Sequence, residues 1–161
     1  MTVREIMTEP PLTCTSETSL AVAARLMGEA NYGTLPVIDA RGTVVGIVTD
    51  RDVCLALART NRNALNIPVR EVMTKKVFSA LPDDDVHGAV AIMKRARVRR
   101  LPVCDQSGRL KGMLSIEDVV VRGLQGDGAS ADEIIAALRA MYMRMPAAVN
   151  ANMTGNGFTP G

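Results

Sequence analysis

The fold of this chain is decided by one hexapeptide that occurs twice, as Val3-Arg4-Glu5-Ile6-Met7-Thr8 and again as Val69-Arg70-Glu71-Val72-Met73-Thr74. The copies are 66 residues apart (69 − 3 = 66), and the same offset aligns the chain with itself, without gaps, as far as Val53 and Val119. About 16 of roughly 51 aligned positions are identical, among them the tripeptide Leu-Pro-Val that begins at Leu35 and at Leu101. Self-similarity at a fixed period marks a repeated structural unit, so the sequence predicts a tandem duplication.

Each repeat predicts the same order of elements, β-α-β-β-α, which makes the chain an α+β protein. The predicted strands span residues 12–14, 34–38 and 44–48 in the first repeat, and 77–80, 100–104 and 110–114 in the second. The apolar residues at helical spacing that indicate the first helix of each repeat are Leu20, Ala23, Ala24 and Met27, and then Val86, Ala89, Val90 and Met93. The second helix begins near Asp50 or Ile116. A unit of about 50 residues buries its apolar faces poorly alone, so we expect the repeats to pack as a pseudo-twofold module.

The sequence predicts the following division of the chain: repeat one at residues 1–60, a linker at 61–68, repeat two at 69–126, an amphipathic helix at 127–145 and a flexible tail at 146–161. Ser130 and Glu133 fit the capping box that begins a helix. The apolar residues that follow at helical spacing are Ile134, Ile135, Leu138, Met141, Tyr142 and Met145. Three roles stay open for this helix: packing on its own module, packing across a dimer, or docking an exchangeable partner.

Composition argues against several classes of function. The net charge is +2, and the chain holds two Tyr, two Phe and no Trp. This charge is too small for nucleic-acid binding by bulk attraction, and the rings are too few to stack single-stranded bases. The apolar stretches are too short for a membrane span, and the N-terminus lacks the apolar core of a signal peptide, so we expect a cytoplasmic protein.

Residues with catalytic or metal-binding chemistry are sparse. Cys14, Cys54 and Cys104 are an odd number of cysteines without a CxxC pair, and His87 is the single histidine. We therefore expect neither a metal site nor a disulfide framework, and we interpret the cysteines as small buried hydrophobic residues. The sequence has no P-loop and no arrangement typical of a catalytic triad, so we expect no catalytic residues and no enzyme activity.

The most informative segments are two junctions between a strand and a helix, Gly46-Ile47-Val48-Thr49-Asp50-Arg51-Asp52 and Gly112-Met113-Leu114-Ser115-Ile116-Glu117-Asp118. Both have the pattern G-h-h-[ST]-x-x-D, in which h is an apolar residue. Thr49 and Ser115 are good helix N-caps, and an acid three residues later favours a helix N-terminus electrostatically. The same hydroxyl and carboxylate beside a glycine can also hold a polyol or phosphate ligand, and both interpretations stay open.

The tandem units, the Leu-Pro-Val-x-Asp strands and the two junctions together resemble a pair of cystathionine-beta-synthase (CBS) domains over residues 3–124. The resemblance implies a regulatory module that binds adenine nucleotides in clefts between the repeats. It also implies that Asp52 and Asp118 hold the ribose, with Thr49 and Ser115 nearby. The implied ligands are AMP, ADP or ATP, with S-adenosylmethionine or NAD as alternatives, and no cofactor is required. CBS modules commonly pair into flat discs, so the resemblance further implies a homodimer.

Basic residues and cleft walls supply further candidate ligand contacts. In the family, basic residues ahead of the Leu-Pro-Val strand often reach ligand phosphates, which implies that role for Arg99 and Arg100. The first repeat has Gly33 and Thr34 at these positions, so we expect unequal occupancy of the two clefts. The remaining candidate wall residues are Thr8, Pro11, Ile47, Thr74, Phe78 and Met113. An adenine would lie between aliphatic groups, with Phe78 as the only ring near a wall.

The sequence thus predicts a regulatory module that senses an adenine nucleotide or adenosyl ligand and signals to an effector protein in trans through a conformational change. Two alternatives come from other classes of protein. The first is a scaffold or dimerisation module whose clefts are empty or filled by side chains. The second, which is less favoured, is a nucleic-acid binder that uses the basic strip from Arg97 to Arg100.

Overall fold

The computed structural model describes residues 1–124 and 128–143 of the chain. It confirms the α+β class, because two antiparallel β-hairpins and five α-helices alternate within these residues. The strands are β1 (Thr34–Ile38), β2 (Val44–Thr49), β3 (Arg100–Cys104) and β4 (Leu110–Ser115). The helices are α1 (Leu20–Glu29), α2 (Asp50–Arg59), α3 (Val86–Ala96), α4 (Ile116–Arg122) and α5 (Ala131–Tyr142). The tail predicted at residues 146–161 lies outside the described residues.

The two hairpins have the same construction because each turn begins with an aspartate. Asp39 accepts hydrogen bonds from the backbone N–H groups of Arg41 (2.8 Å) and Thr43 (2.9 Å). The bond from Thr43 contributes most to lowering the pKa of Asp39, and the bond from Arg41 adds to it, because both bonds favour the ionised carboxylate. Gly42 completes the turn with a φ of 78°, a conformation that a residue without a Cβ adopts easily. The turn that begins at Asp105 repeats this arrangement.

The strand predicted at the start of each repeat is reduced to a single bridging residue. Cys14 donates its N–H to the carbonyl of Pro36 (3.1 Å) and accepts a bond from the N–H of Ile38 (2.9 Å). Extending this parallel bridge towards residue 12 would need an N–H at residue 36, and proline has none. Ala80 and Pro102 reproduce the situation in the second repeat. The two predicted strands are therefore wrong as regular elements, although their residues lie where a third strand would begin.

The two repeats exchange their first hexapeptides. We call residues 3–8 the first hexapeptide and residues 69–74 the second hexapeptide. Val3, Ile6 and Met7 are buried in the hydrophobic core of the second repeat, whereas Val69 is buried in the core of the first. Each core is thus completed by residues that belong, in sequence, to the other repeat. This exchange explains why two units of about 50 residues form one module.

Each hexapeptide ends beside the hairpin of the other repeat. Thr8 donates its N–H to the carbonyl of Met113 in β4 (2.8 Å) and accepts a bond from the N–H of Met113 (3.1 Å). Thr74 and Ile47 of β2 exchange equivalent bonds of 2.8 and 2.9 Å. Backbone hydrogen bonds therefore tie the end of each hexapeptide to a strand of the opposite repeat.

A glycine in each hairpin permits this close approach. A Cβ added to Gly112 would lie 2.7 Å from the Sδ of Met7 and 3.0 Å from the carbonyl oxygen of Thr8. A Cβ added to Gly46 would lie 2.8 Å from the Sδ of Met73. Because close-packed interiors do not accommodate such overlaps, any larger residue would displace the hexapeptide.

Helix α5 packs on the second repeat, which is one of the three roles left open by the sequence. Ile134 and Ala137 are buried in the core of that repeat. At the start of α5, Ser130 and Glu133 form a capping box, and the Nδ1 of His87 in α3 lies 2.9 Å from the Oε1 of Glu133. The hydrogen bond from the backbone N–H of Ser130, followed by that from His87, lowers the pKa of Glu133 to about 2.

The cysteines follow the sequence prediction in two positions of three. Cys14 and Cys104 are buried, whereas Cys54 is exposed on α2, so the prediction of burial is wrong for Cys54. Burial raises the pKa of the Cys14 thiol to about 11, which keeps this group protonated and unreactive at neutral pH.

We expect Gly112→Ala to destabilise the protein by about 1–3 kcal/mol, because the added methyl group overlaps the first hexapeptide. Gly88→Ala is the matched control, since a Cβ at this exposed position of α3 meets no atom within 4 Å. Alanine at Gly88 should instead stabilise the helix by about 0.5–1 kcal/mol. Urea unfolding followed by circular dichroism measures both effects, and equal stabilities of the two variants would contradict the exchanged arrangement.

Candidate functional site

A cavity of about 360 Å³ opens between the two repeats, and we call it the first cleft. The first repeat lines it with Gly33, Thr34, Ile47, Thr49, Asp50 and Arg51. The second repeat and α5 line it with Thr74, Lys76, Val77, Phe78, Arg97, Val98, Arg99, Arg100, Pro102, Met141 and Tyr142. The volume falls within the range of small-molecule sites, roughly 300–1,000 Å³.

The first cleft lies where the second hexapeptide crosses β2. Because Thr74 pairs with Ile47, the residues that follow Thr74 run along the cleft towards Phe78. Strand β2 ends at Thr49, which is the N-cap of α2, so the first turn of this helix borders the same space. The predicted site residues that line the first cleft are Ile47, Thr49, Thr74, Phe78, Arg99 and Arg100.

Both strand–helix junctions form complete capping boxes, which confirms the capping interpretation. Asp52 accepts bonds on Oδ2 from the Oγ1 (2.7 Å) and the backbone N–H (2.9 Å) of Thr49, and its own N–H donates to that Oγ1 (3.2 Å). Ser115 and Asp118 repeat this arrangement, with backbone bonds of 2.9 and 3.0 Å. The carboxylate of Asp52 is hydrogen-bonded to Thr49, which lines the first cleft, whereas Asp52 itself is not part of that lining. Its binding of ribose stays a prediction.

The first cleft is electropositive. Arg51, Lys76, Arg97 and Arg99 line it with exposed side chains, and Asp50 is the single acidic residue of its lining. Several cations around one opening concentrate anions there and bind them by charge-assisted hydrogen bonds. Such a wall suits a ligand that carries phosphate or another anionic group.

The pseudo-symmetry of the module predicts the position of a second cleft, beside Ser115 and Asp118, where the first hexapeptide crosses β4. Thr8 pairs with Met113 at this crossing, and Pro11, which follows, is half-buried. Met113 and Ser115 are 6% and 7% exposed, so little of either side chain is available to a ligand.

Arg100 lines the first cleft, but its guanidinium contacts two residues outside that lining, Glu117 and Tyr32. Its Nη2 lies 3.6 Å from the Oε1 of Glu117, and its guanidinium lies 5.7 Å from the centroid of the Tyr32 ring. Glu117 directly precedes Asp118, so a cation and its acidic partner already lie on the side of the second cleft. The Nε of Arg100 is buried and finds no hydrogen-bond partner within residues 1–124 and 128–143.

Several residues of the first cleft were absent from the sequence prediction, among them Arg51 and Lys76 and two residues of α5. Met141 and Tyr142 reach it from the end of α5, and the Oη of Tyr142 lies 3.4 Å from the Nη1 of Arg99. The expectation that Phe78 is the only ring near a wall is therefore wrong. Helical spacing indicated the apolar side of α5, but no sequence signal indicated which surface that side covers.

No group of three or more potential metal-ligating side chains lies together in the described part of the chain. No helix of that part is long and apolar enough to cross a membrane. The lining of the first cleft holds no histidine or cysteine, so its polar groups are hydroxyls, one carboxylate and cations.

The chain belongs to the CBS domain family, because the model of that domain matches residues 3–59 and 69–123. The solved CBS domain pair of protein MJ0100, in complex with 5′-methylthioadenosine and S-adenosyl-L-methionine, is 30% identical with a TM-score of 0.68 and covers 75% of this chain and 94% of that one. CBSX2 of Arabidopsis thaliana in complex with AMP is also 30% identical with a TM-score of 0.68, and the match covers 77% of this chain and 96% of that one. These findings confirm the family that the sequence resembles.

One similar curated protein is an enzyme, the L-aspartate semialdehyde sulfurtransferase of Methanocaldococcus jannaschii. It is 32% identical over 117 residues, which make up 73% of this chain. The chain spans only 22% of the length of that enzyme. The similarity therefore concerns the CBS pair, and CBS pairs are in general regulatory modules.

We expect Thr49→Ala to lower the free energy of unfolding by about 1 kcal/mol relative to Thr49→Ser, because only serine keeps the hydroxyl that caps α2. Both variants lose the same methyl group, so the difference between them isolates the cap. Urea denaturation without any ligand measures it. Equal stabilities would show that the capping box contributes nothing to the fold.

Proposed function

We propose that this protein is a regulatory module that binds an adenine nucleotide in the first cleft and has no catalytic activity of its own. The observation that carries the proposal is a cleft built from both repeats, in which Thr49 at the start of α2 lies opposite a basic wall that includes Arg99. The adenosyl ligands of the MJ0100 and CBSX2 structures support it. The cytoplasmic location stays a prediction.

A phosphate-bearing ligand is favoured by charge. The cations of the lining outnumber its one acid, Asp50, and attract a ligand that carries negative charge. AMP, ADP and ATP meet this requirement, and NAD meets it through its pyrophosphate. S-adenosylmethionine carries a sulfonium cation and is disfavoured, as is the uncharged 5′-methylthioadenosine. No cofactor is required for this role.

Each part of the nucleotide has a suitable wall in the first cleft. We assign the base to the apolar side chains of Ile47 and Phe78, the ribose to Thr49 and Asp52, and the phosphates to Arg99 and to its basic neighbours. The capping box uses only Oδ2 of Asp52, so the proposal requires the ribose to reach past the lining residue Thr49 to Oδ1. Charge-assisted hydrogen bonds contribute about 1.5–3 kcal/mol each. Two or three of them are enough for micromolar to millimolar affinity, which needs about 4–8 kcal/mol.

We propose that only the first cleft takes a nucleotide, so that one chain binds one ligand. Arg100 pairs with Glu117, and we propose that this pair occupies the space of the second cleft, where the carboxylate of Glu117 repels phosphate. Ser115 and Asp118 then serve as a helix cap, and Thr8, Pro11 and Met113 as packing residues. This assignment supports the unequal occupancy expected from the sequence.

Regulation would follow from the position of the ligand between the repeats. A ligand that contacts Thr49 on one repeat and Arg99 on the other favours one arrangement of the two hairpins over others. An effector protein that binds in trans to that arrangement would respond to the concentration of the nucleotide.

Glutamate substitutions separate ligand binding from helix capping, because a capping box accepts glutamate at the acidic position. We expect Asp52→Glu to keep the melting temperature but to weaken AMP and ATP binding at least tenfold, since the longer side chain moves the carboxylate away from the ribose. Asp118→Glu is the matched control and should bind as the wild type does. Isothermal titration calorimetry measures all three proteins.

Other outcomes of this titration favour other functions. An unchanged affinity in Asp52→Glu would contradict the assigned site. No binding of any adenine nucleotide at millimolar concentration would favour a scaffold or dimerisation module. Steeply salt-dependent binding of oligonucleotides, lost on substitution of Arg97 and Arg99, would favour a nucleic-acid binder.

We further propose that the chain forms a homodimer through α2 and α4. The exposed large apolar side chains of these helices and of the segment just after α4 are Leu55, Leu57, Val120, Val121 and Leu124. Val121 is 71% exposed, which costs free energy in water unless a second surface covers it.

We expect size-exclusion chromatography with light scattering to give about twice the chain mass of 17.2 kDa for the wild type and a single chain mass for Val121→Asp. A charge at this position cannot be buried in an apolar interface without a partner. Leu65→Asp is the matched control, because Leu65 is 64% exposed but lies outside both helices. A wild-type protein of single mass at micromolar concentration would overturn the dimer.

A further inference from the structure

We propose that Tyr142 of α5 is a ligand-contacting residue of the first cleft, and that ligand binding and the docking of α5 strengthen each other. The inference rests on the proposed function, since it concerns the same cleft. It goes beyond that function because α5 lies outside both matched ranges of the CBS domain, the second of which ends at residue 123.

The N-terminal part of α5 is firmly attached to the second repeat. Ile134 and Ala137 are buried in its core, at 4% and 0% exposure. The capping box of Ser130 and Glu133 and the contact between Glu133 and His87 hold the first turn. This anchoring fixes the direction of the helix, so its last turn is brought to the mouth of the first cleft.

The C-terminal end of α5 is held much less firmly. Tyr142 is 65% exposed and Met143 is 70% exposed, although Tyr142 and Met141 line the cavity. A tyrosine that served only to pack the helix would bury its ring, because a buried ring contributes most of what an aromatic residue adds to stability. The largely uncovered ring at the edge of a cavity is better explained by a surface that a ligand covers.

The contact between Tyr142 and Arg99 joins the helix to the proposed phosphate site. At 3.4 Å, the bond from the Nη1 of Arg99 to the Oη of Tyr142 is at the long end of hydrogen-bond distances. A guanidinium has five N–H donors, so Arg99 can bind a phosphate while it keeps the tyrosine. Tyr142 thereby positions Arg99, and its ring adds contact area for the ligand.

Thermodynamic linkage makes the coupling reciprocal. If the docked end of α5 improves the affinity for the nucleotide, the bound nucleotide must stabilise the docked end of α5 by the same factor. The C-terminal helix would then transmit the state of the cleft to the part of the surface on which an effector in trans could bind.

Calorimetry with ATP on the full chain tests the contact. We expect Tyr142→Ala to weaken ATP binding about three- to tenfold through loss of the ring, and Tyr142→Phe to weaken it less, since only the Arg99 contact is lost. Met143→Ala is the matched control and should bind ATP as the wild type does. Met143 is the next residue, is equally exposed and does not line the cleft.

Hydrogen exchange with mass spectrometry tests the coupling. We expect saturating ATP to slow amide exchange in the last turn of α5 in the wild type. The exchange should not slow in Asp52→Glu at the same ATP concentration. It should also not slow in Tyr142→Ala when ATP is raised until that variant is equally saturated. If the wild type binds ATP but Tyr142→Ala binds it equally well, the inference is overturned and the proposed function stands. The same holds if the wild type binds ATP without any change in the amide exchange of α5. Absence of ATP binding by the wild type would overturn both the proposed function and the inference.

Discussion

The exchange of the first hexapeptides between the two repeats is the constraint on which the rest of the structure depends. It completes both hydrophobic cores, since Val3 fills the second and Val69 the first. It also creates the clefts, because the residues after Thr74 run beside β2 only when Thr74 pairs with Ile47. The exchange also requires glycine at positions 46 and 112, because the opposite hexapeptide lies too close to each hairpin to leave room for a Cβ. Stability and the site therefore have one structural origin.

The two repeats have diverged in charge around a common backbone. Arg51 of the first repeat corresponds to Glu117 of the second at the offset of 66. The basic residues Lys76, Arg97 and Arg99 correspond to Pro10, Asn31 and Gly33, which carry no charge. One cleft is therefore basic, whereas at the symmetry-related position of the second repeat Glu117 forms an ion pair with Arg100. The asymmetry makes one ligand per chain the natural expectation.

Much of the fold could be predicted from the sequence because local physics determines it. The repeat offset, the Asp-to-Gly turns and the caps at Thr49 and Ser115 each depend on residues a few positions apart, and all of them appear in the structure. The shortness of the first strands was also present in the sequence, as Pro36 and Pro102. Each proline shortens the first strand only because Cys14 pairs beside Pro36 and Ala80 pairs beside Pro102. That pairing is set by the tertiary structure.

What could not be predicted concerns contacts between distant segments. Nothing local to Tyr142 indicates that it reaches Arg99, 43 residues away, because the surface covered by α5 depends on the whole second repeat. The sequence also did not indicate that the guanidinium of Arg100 pairs with Glu117, because this contact depends on the tertiary structure. Sequence therefore identified residue types suited to a nucleotide, and tertiary packing decided which of them share a cleft.

A crystal structure of the full chain grown with AMP or ATP tests the central claim most directly. The account predicts one nucleotide per chain, in the first cleft, with its phosphate within hydrogen-bond distance of Arg99 and with Arg100 still facing Glu117. A nucleotide bound only beside Ser115 and Asp118, or equal occupancy of both clefts, would contradict it.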